Sequence, residues 1–187
     1  ERNEMSEPFH RHRVAIADLI LVQSSVRTTV ERMVRDLAPD VVGLSVMTFQ
    51  RATALKIAAL VRALRPSTHV VVGGYDPSLD IDAYTQSPDV DFIVRGEGEH
   101  TLCELLRALE HDRDASGIAG LSYRTPGGFQ HNRDRGVAPL ATSALRLPNR
   151  AARVLRGYTL LGRHVDVIET SRGCTYDCSF CSIIEMR

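Results

Sequence analysis

Between residues 13 and 124, short β-branched runs alternate with stretches of helical spacing, and this alternation constrains the fold more than any other feature of the chain. Val14-Ala-Ile-Ala17 reads as a strand. Val26, Val30, Met33, Val34 and Leu37 then recur at helical spacing, with Ser24 or Ser25 as N-cap, and Pro39-Asp40 ends that helix. Val41-Val-Gly-Leu-Ser-Val-Met47 is apolar on both faces, the pattern of a strand inside a parallel sheet. Ala54, Ile57, Ala58, Val61 and Leu64 carry the next helix as far as Pro66. Two more strands follow: His69–Val72, running into Gly73-Gly74, and Val90–Val94, running into Arg95-Gly-Glu-Gly-Glu99. Leu102, Leu105, Leu106 and Leu109 mark the helix after them. Short connections and right-handed crossovers then give a parallel sheet with helices on both faces. Gly120–Tyr123 followed by Thr125-Pro-Gly-Gly128 predicts a strand entering a hairpin or turn at the sheet edge.

The 187 residues suffice for one domain and an appendage, and 23 basic residues balance 23 acidic ones. That balance argues against a nucleic-acid surface, and no apolar run is long enough to span a bilayer. From about Asp134 to His164 the alternation dissolves. Pro139 and Pro148 punctuate it, and Arg146, Arg150, Arg153, Arg156 and Arg163 occur with no acid between them. These arginines read either as a surface linker pairing with neighbouring acids or as contacts to the phosphate or carboxylate of a cofactor. Val165-Asp-Val-Ile-Glu169 is expected to be a fresh strand that delivers the next loop from its C-terminal end.

That loop carries Cys174, Cys178 and Cys181 at the spacing C-x3-C-x2-C. Three thiolates can hold a [4Fe-4S] cluster and leave one iron for a ligand that is not protein. A structural zinc site requires four closed ligands, and the remaining cysteine, Cys103, sits on an apolar helix pattern as a small buried hydrophobe. A disulfide framework belongs to secreted chains, so reduced thiols and a cytoplasmic setting fit better. With Ser171-Arg-Gly173 leading in and Phe180 before the third cysteine, the segment resembles the signature of the radical S-adenosylmethionine (SAM) enzymes. The resemblance implies that the open iron chelates SAM, whose reductive cleavage yields a 5′-deoxyadenosyl radical. An external electron donor of flavodoxin or ferredoxin type is implied as well.

Asp40–Thr48 and Gly73-Gly74 resemble the Ser-x-Leu segment and paired glycines of the cobalamin (B12)-binding domain, with Met47 where Leu is usual. Arg95–Glu99 ahead of the cysteine loop is similar to the arrangement in cobalamin-dependent radical SAM proteins. The resemblance runs from about residue 13 to 187 and implies a Rossmann-like (flavodoxin-like) domain. Cobalamin would lie over Ser45, Met47, Thr48, Gly73, Gly74, Tyr75, Gly96, Glu97 and Gly98. Tyr75 reads equally as a loop packing residue, and Glu97 and Glu99 equally as acids serving a helix dipole. His100 reads as a surface residue.

No Asp-x-His-x-x-Gly motif follows the Val14 strand, so no axial histidine can be read. By the family pattern Val14–Asp18 would be the second strand, and the first would precede residue 1. Without it an unpaired gap would separate the strands at Val14 and Val41. Either the natural protein is longer at its N-terminus, or residues 1–12 pack irregularly and the sheet is rearranged. The start at Glu1 without an initiator Met, and the stop six residues after Cys181, read as a fragment.

The expected organisation is therefore a cobalamin-binding-like domain over 1–134, a linker over 135–164, and the first strand and cluster loop of a radical SAM (β/α) barrel over 165–187. The implied activity is radical C-methylation of a small molecule or a related cobalamin-assisted reaction, with the fragment alone inactive. The alternative is a non-catalytic docking α/β module that has lost cobalamin.

Overall fold

In the computed structural model the described residues are 12–136, 149–168, 173–176 and 178–183. Contacts divide the chain into two compact units, one of residues 27–139 with 169–187, the other of residues 1–26 with 140–168.

The larger unit is built as the alternation predicts. Helix α1 (Val26–Leu37) buries Thr29, Val30 and Val34. Strand β1 (Val41–Ser45) leads into helix α2 (Arg51–Leu64), strand β2 (His69–Gly73), short helices α3 (Tyr75–Leu79) and α4 (Asp82–Thr85), strand β3 (Phe92–Val94) and helix α5 (Gly98–Glu110). The hairpin of β4 (Leu121–Thr125) and β5 (Gly128–His131) follows. Strand order in the sheet is β1-β2-β3-β4-β5; the first three are parallel and the last two antiparallel.

Register decides what each face holds. Gly43 pairs with Val71 and Val71 with Phe92; Ser45 pairs with Gly73 and Gly73 with Val94; Val94 pairs with Leu121. Side chains on these positions share one face. There Val71, Val94 and Leu121 pack with Leu105 and Ala108 of α5 and with Ile118. Val70, Val72 and Ile93 point to the opposite face and are fully buried. A right-handed β1-α2-β2 crossover puts α2 on that second face, where it buries Ala54, Ile57, Ala58 and Val61. Burying Leu105 and Leu121 completely stabilises the α5 face by roughly 2 kcal/mol per side chain.

The smaller unit departs from expectation. Val14–Ala17 forms no strand. Only Ile16 makes an isolated parallel bridge, to Arg153, with its N–H donating to the Ala152 carbonyl (2.7 Å). Val14 and Ile16 are at least half exposed, so no burial supports a longer ladder. In the larger unit β1 ends the sheet beside β2, and in the smaller unit Ile16 pairs with Arg153. Residues 165–168 likewise lie in no strand. A hairpin of β6 (Thr159–Leu160) and β7 (Arg163–His164) precedes them, and the Val165 N–H donates to the Tyr158 carbonyl (3.2 Å). Val167 and Ile168 are largely exposed, and Glu169 lies outside the described residues. Of the arginines in this stretch, Arg150 and Arg153 pair with Asp166; Arg146 is outside the described residues.

Candidate functional site

Three parallel strands bring three turns to one end of the sheet, where an open α/β fold binds its ligands. On the α5 face the positions nearest that end are Gly43 and Ser45 on β1 and Gly73 on β2, so no side chain larger than serine covers the sheet there. The result is a groove of about 660 Å³. A Cβ built on Gly43 would meet no atom within 4 Å. Its open space belongs to the groove.

Gly74 has a different reason. Its φ of +98° favours glycine, and a Cβ there would lie 2.9 Å from the Val46 nitrogen. Close approach of two backbone turns demands the missing side chain: the Val46 N–H donates to the Gly73 carbonyl (2.8 Å) and the Asp76 N–H to the Val46 carbonyl (3.1 Å). Ser78 adds the third turn. Its hydroxyl donates to the Gly74 carbonyl (2.7 Å) and accepts from the Gly96 N–H (2.9 Å), tying the paired glycines to Gly96, whose φ is +67°.

Beneath these turns Asp76 is buried and saturated. Arg51 donates to its two oxygens through Nε (2.7 Å) and Nη2 (2.8 Å), and the Tyr84 hydroxyl donates at 2.5 Å. The Arg51 guanidinium also pairs with Asp80 at 2.7 Å. The hydrogen bond from Arg51 holds the Asp76 carboxyl at about 2, with bonds from Tyr84 and Thr48 adding to it against the cost of burial. Burial, and then Asp76, push the Tyr84 phenol up. Arg51, Asp76, Ser78 and Tyr84 were not found from the sequence. An ion pair 25 residues apart leaves no periodic signal.

Of the residues assigned to a cofactor in the sequence, Ser45, Met47, Gly73, Gly74, Tyr75, Gly96, Glu97 and Gly98 line the groove. Thr48 does not. It opens a 3-10 turn, Thr48–Gln50, and its hydroxyl serves Asp76. Gly43, Glu99, Leu102, Gly173 and Ile183 line the groove as well. Cys174 and Cys178 are exposed and Cys181 half-buried; all three are free thiols. Among the described residues no three His, Cys, Asp or Glu side chains converge as a metal site. Cys103 on α5 is half-buried, and burial pushes its thiol up, as suits a packing residue.

A glycine-floored groove at the carboxyl ends of parallel strands defines a cofactor-binding α/β domain. The B12 binding domain model matches residues 8–106, and the chain belongs to that family. An uncharacterised methyltransferase from Pyrococcus horikoshii is 31% identical over 177 residues, 91% of this chain and 37% of that protein. The cobalamin-dependent radical SAM methyltransferase TokK of Streptomyces tokunonensis is 32% identical over 155 residues, 76% of this chain and 22% of its own length. Among solved structures, the radical SAM methyltransferase TsrM from Kitasatospora setae, with cobalamin and a [4Fe-4S] cluster bound, superposes with a TM-score of 0.57 at 26% identity. The match covers 62% of this chain and 24% of TsrM. The cobalamin-dependent radical enzyme OxsB, with aqua-cobalamin and SAM bound, gives 0.55 at 26% identity over 64% of this chain and 17% of its own. The chain thus spans between about a fifth and two fifths of these proteins.

Proposed function

We propose that this chain is the cobalamin-binding part of a radical SAM enzyme that transfers a methyl group to a small-molecule substrate, or uses cobalamin in a related radical reaction. The division into a cobalamin domain over 1–134, a linker over 135–164 and the start of a radical SAM domain over 165–187 is part of that proposal. One observation carries it: the α5 face of the sheet bears nothing larger than a serine over Gly43, Ser45 and Gly73, where a groove opens, in a chain of the B12-binding family.

The residues present suit a large planar ligand. Gly43 and Gly73 let it approach backbone, Met47 and Leu102 offer apolar contact, and Ser45, Tyr75 and Glu97 offer hydrogen bonds to peripheral amides. Cys174, Cys178 and Cys181 are the residues that would hold a [4Fe-4S] cluster, and a reducing, cytoplasmic compartment would keep their thiols available. When bound, cobalamin supplies a transferable methyl group, and the cluster supplies the electron that activates SAM, drawn in turn from a flavodoxin or ferredoxin type of donor.

Titration of the chain with hydroxocobalamin, followed by absorbance, tests the reading. A saturable spectral change at one equivalent is expected. No change at any concentration overturns it in favour of a docking module.

A further inference from the structure

The turn after β3 is anchored from outside itself. Gly96 and Gly98 line the groove and carry no side chain that could hold their own backbone. Gly96 has a φ of +67°, and its N–H donates to the Ser78 hydroxyl (2.9 Å). That hydroxyl gives its single proton to the Gly74 carbonyl (2.7 Å). One oxygen thus joins the turn after β2 to the turn after β3, as donor to the first and acceptor from the second. Ser78 sits on α3, a segment that is itself fixed. Two residues earlier, Asp76 is held by Arg51 and Tyr84, and its N–H donates to the Val46 carbonyl. Gly74 and Gly96 line the groove, whereas Ser78 is not among its described lining residues. Its effect on a ligand therefore passes through those two backbones.

We infer that Ser78 is a positioning residue for the cofactor: its hydroxyl sets the spacing of the two glycine turns before the ligand arrives. The inference rests on the cobalamin reading above. A turn with two glycines has wide backbone freedom, and ordering it during binding costs affinity. The Ser78 clasp removes that cost in advance. A hydroxyl suits the place because one atom must donate and accept at once.

The test compares Ser78→Ala, Ser78→Val and Ser78→Thr; Val and Thr have nearly the same shape and differ in the hydroxyl. Hydroxocobalamin is titrated where a denaturant curve shows each variant to be folded. Ala and Val should weaken binding ~10-fold, and Thr should stay within ~3-fold of the unaltered chain. A merely structural serine would shift the unfolding midpoint and leave the dissociation constant of the folded protein alone. Unchanged affinity in Ala and Val overturns the inference, and so does Thr binding as weakly as Val. A second readout needs no ligand: exchange of the Gly96 amide proton should quicken ~10-fold or more in Ala and Val but not in Thr. Gly96 exchange that is the same in all four chains overturns the inference as well. If the unaltered chain fails to bind hydroxocobalamin, the cobalamin reading falls, while Gly96 exchange still decides whether Ser78 holds the turn.

Discussion

The turns that shape the groove and the segment that carries the cysteines belong to the same compact unit, yet they are held in opposite ways. The groove turns are fastened to one another: Val46 to Gly73, Asp76 to Val46, and Ser78 to both Gly74 and Gly96. A buried Arg51–Asp76–Tyr84 network lies beneath them. The described hydrogen bonds of the cysteine segment stay within it, from the Cys181 N–H to the Cys178 carbonyl (2.9 Å) and from the Tyr176 N–H to the Cys174 sulfur (3.5 Å). Phe180 is 91% exposed. One site is shaped before its ligand arrives. The other has thiols in sequence and, on the proposed reading, would take its geometry from the metal, as ligand sets do when binding and ordering are coupled.

The largest expected effect separates the two. Replacing Cys174, Cys178 and Cys181 together with Ala should abolish iron–sulfur reconstitution, read from the charge-transfer absorbance and the reduced-state paramagnetic signal. Hydroxocobalamin affinity should stay within ~3-fold, because no groove turn depends on these residues. A parallel loss of cobalamin binding would break the contrast.

The next effect sharpens the difference between two glycines of the groove itself. Gly43→Leu should place its side chain in empty space and weaken cobalamin binding by ~100-fold or more while leaving thermal stability unchanged. Gly74→Ala should instead cost stability, about 1–3 kcal/mol, from a strained φ and the contact with Val46. The pair is read by titration and by denaturant midpoint. If Gly74→Ala kept full stability and lost affinity, its place would be against the ligand and not between the turns.

The smallest effect concerns pH. Asp76 falls from an ordinary 3.8 to about 2 in the folded chain. A depressed folded value contributes stability above the unfolded value, and that stability drains away as the pH falls from about 4 towards 2. The contribution is on the order of 2 kcal/mol, and Asp76 is buried enough that solvent does not screen it away. Asp76→Asn should flatten that part of the stability-versus-pH curve, measured by urea unfolding at stepped pH. An unaltered slope would show that Arg51 and Tyr84 hold the turns without needing the charge.

Much of the fold was legible because its signals are local and periodic. The runs at Val41, His69 and Val90 became strands, and the helical spacings at Val26, Ala54 and Leu102 became α1, α2 and α5. The paired glycines and Arg95–Glu99 segment pointed to the strand ends. Two expectations failed for one shared reason: Val14–Ala17 and Val165–Ile168 have strand composition, but strand composition needs a partner ladder and burial, and neither segment has them. At the site, the sequence could not separate a glycine that leaves room for a ligand from one that lets two turns touch. Gly43 and Gly74 differ only in φ and neighbours. Thr48 likewise went to Asp76 because its hydroxyl faces the buried carboxylate, which no spacing reveals.

The order of strands in the sheet has a consequence for synthesis. Each strand lies beside the one made just before it, from β1 through β5, and no pairing skips a neighbour. Such a sheet closes only short loops, so its topology favours fast folding. On the ribosome every new strand emerges to find its partner already present, and the β4–β5 hairpin seals the sheet without waiting for the cysteines. The sheet can therefore be finished while the cysteine segment, whose Gly173 and Ile183 complete the lining of the groove, is still being translated.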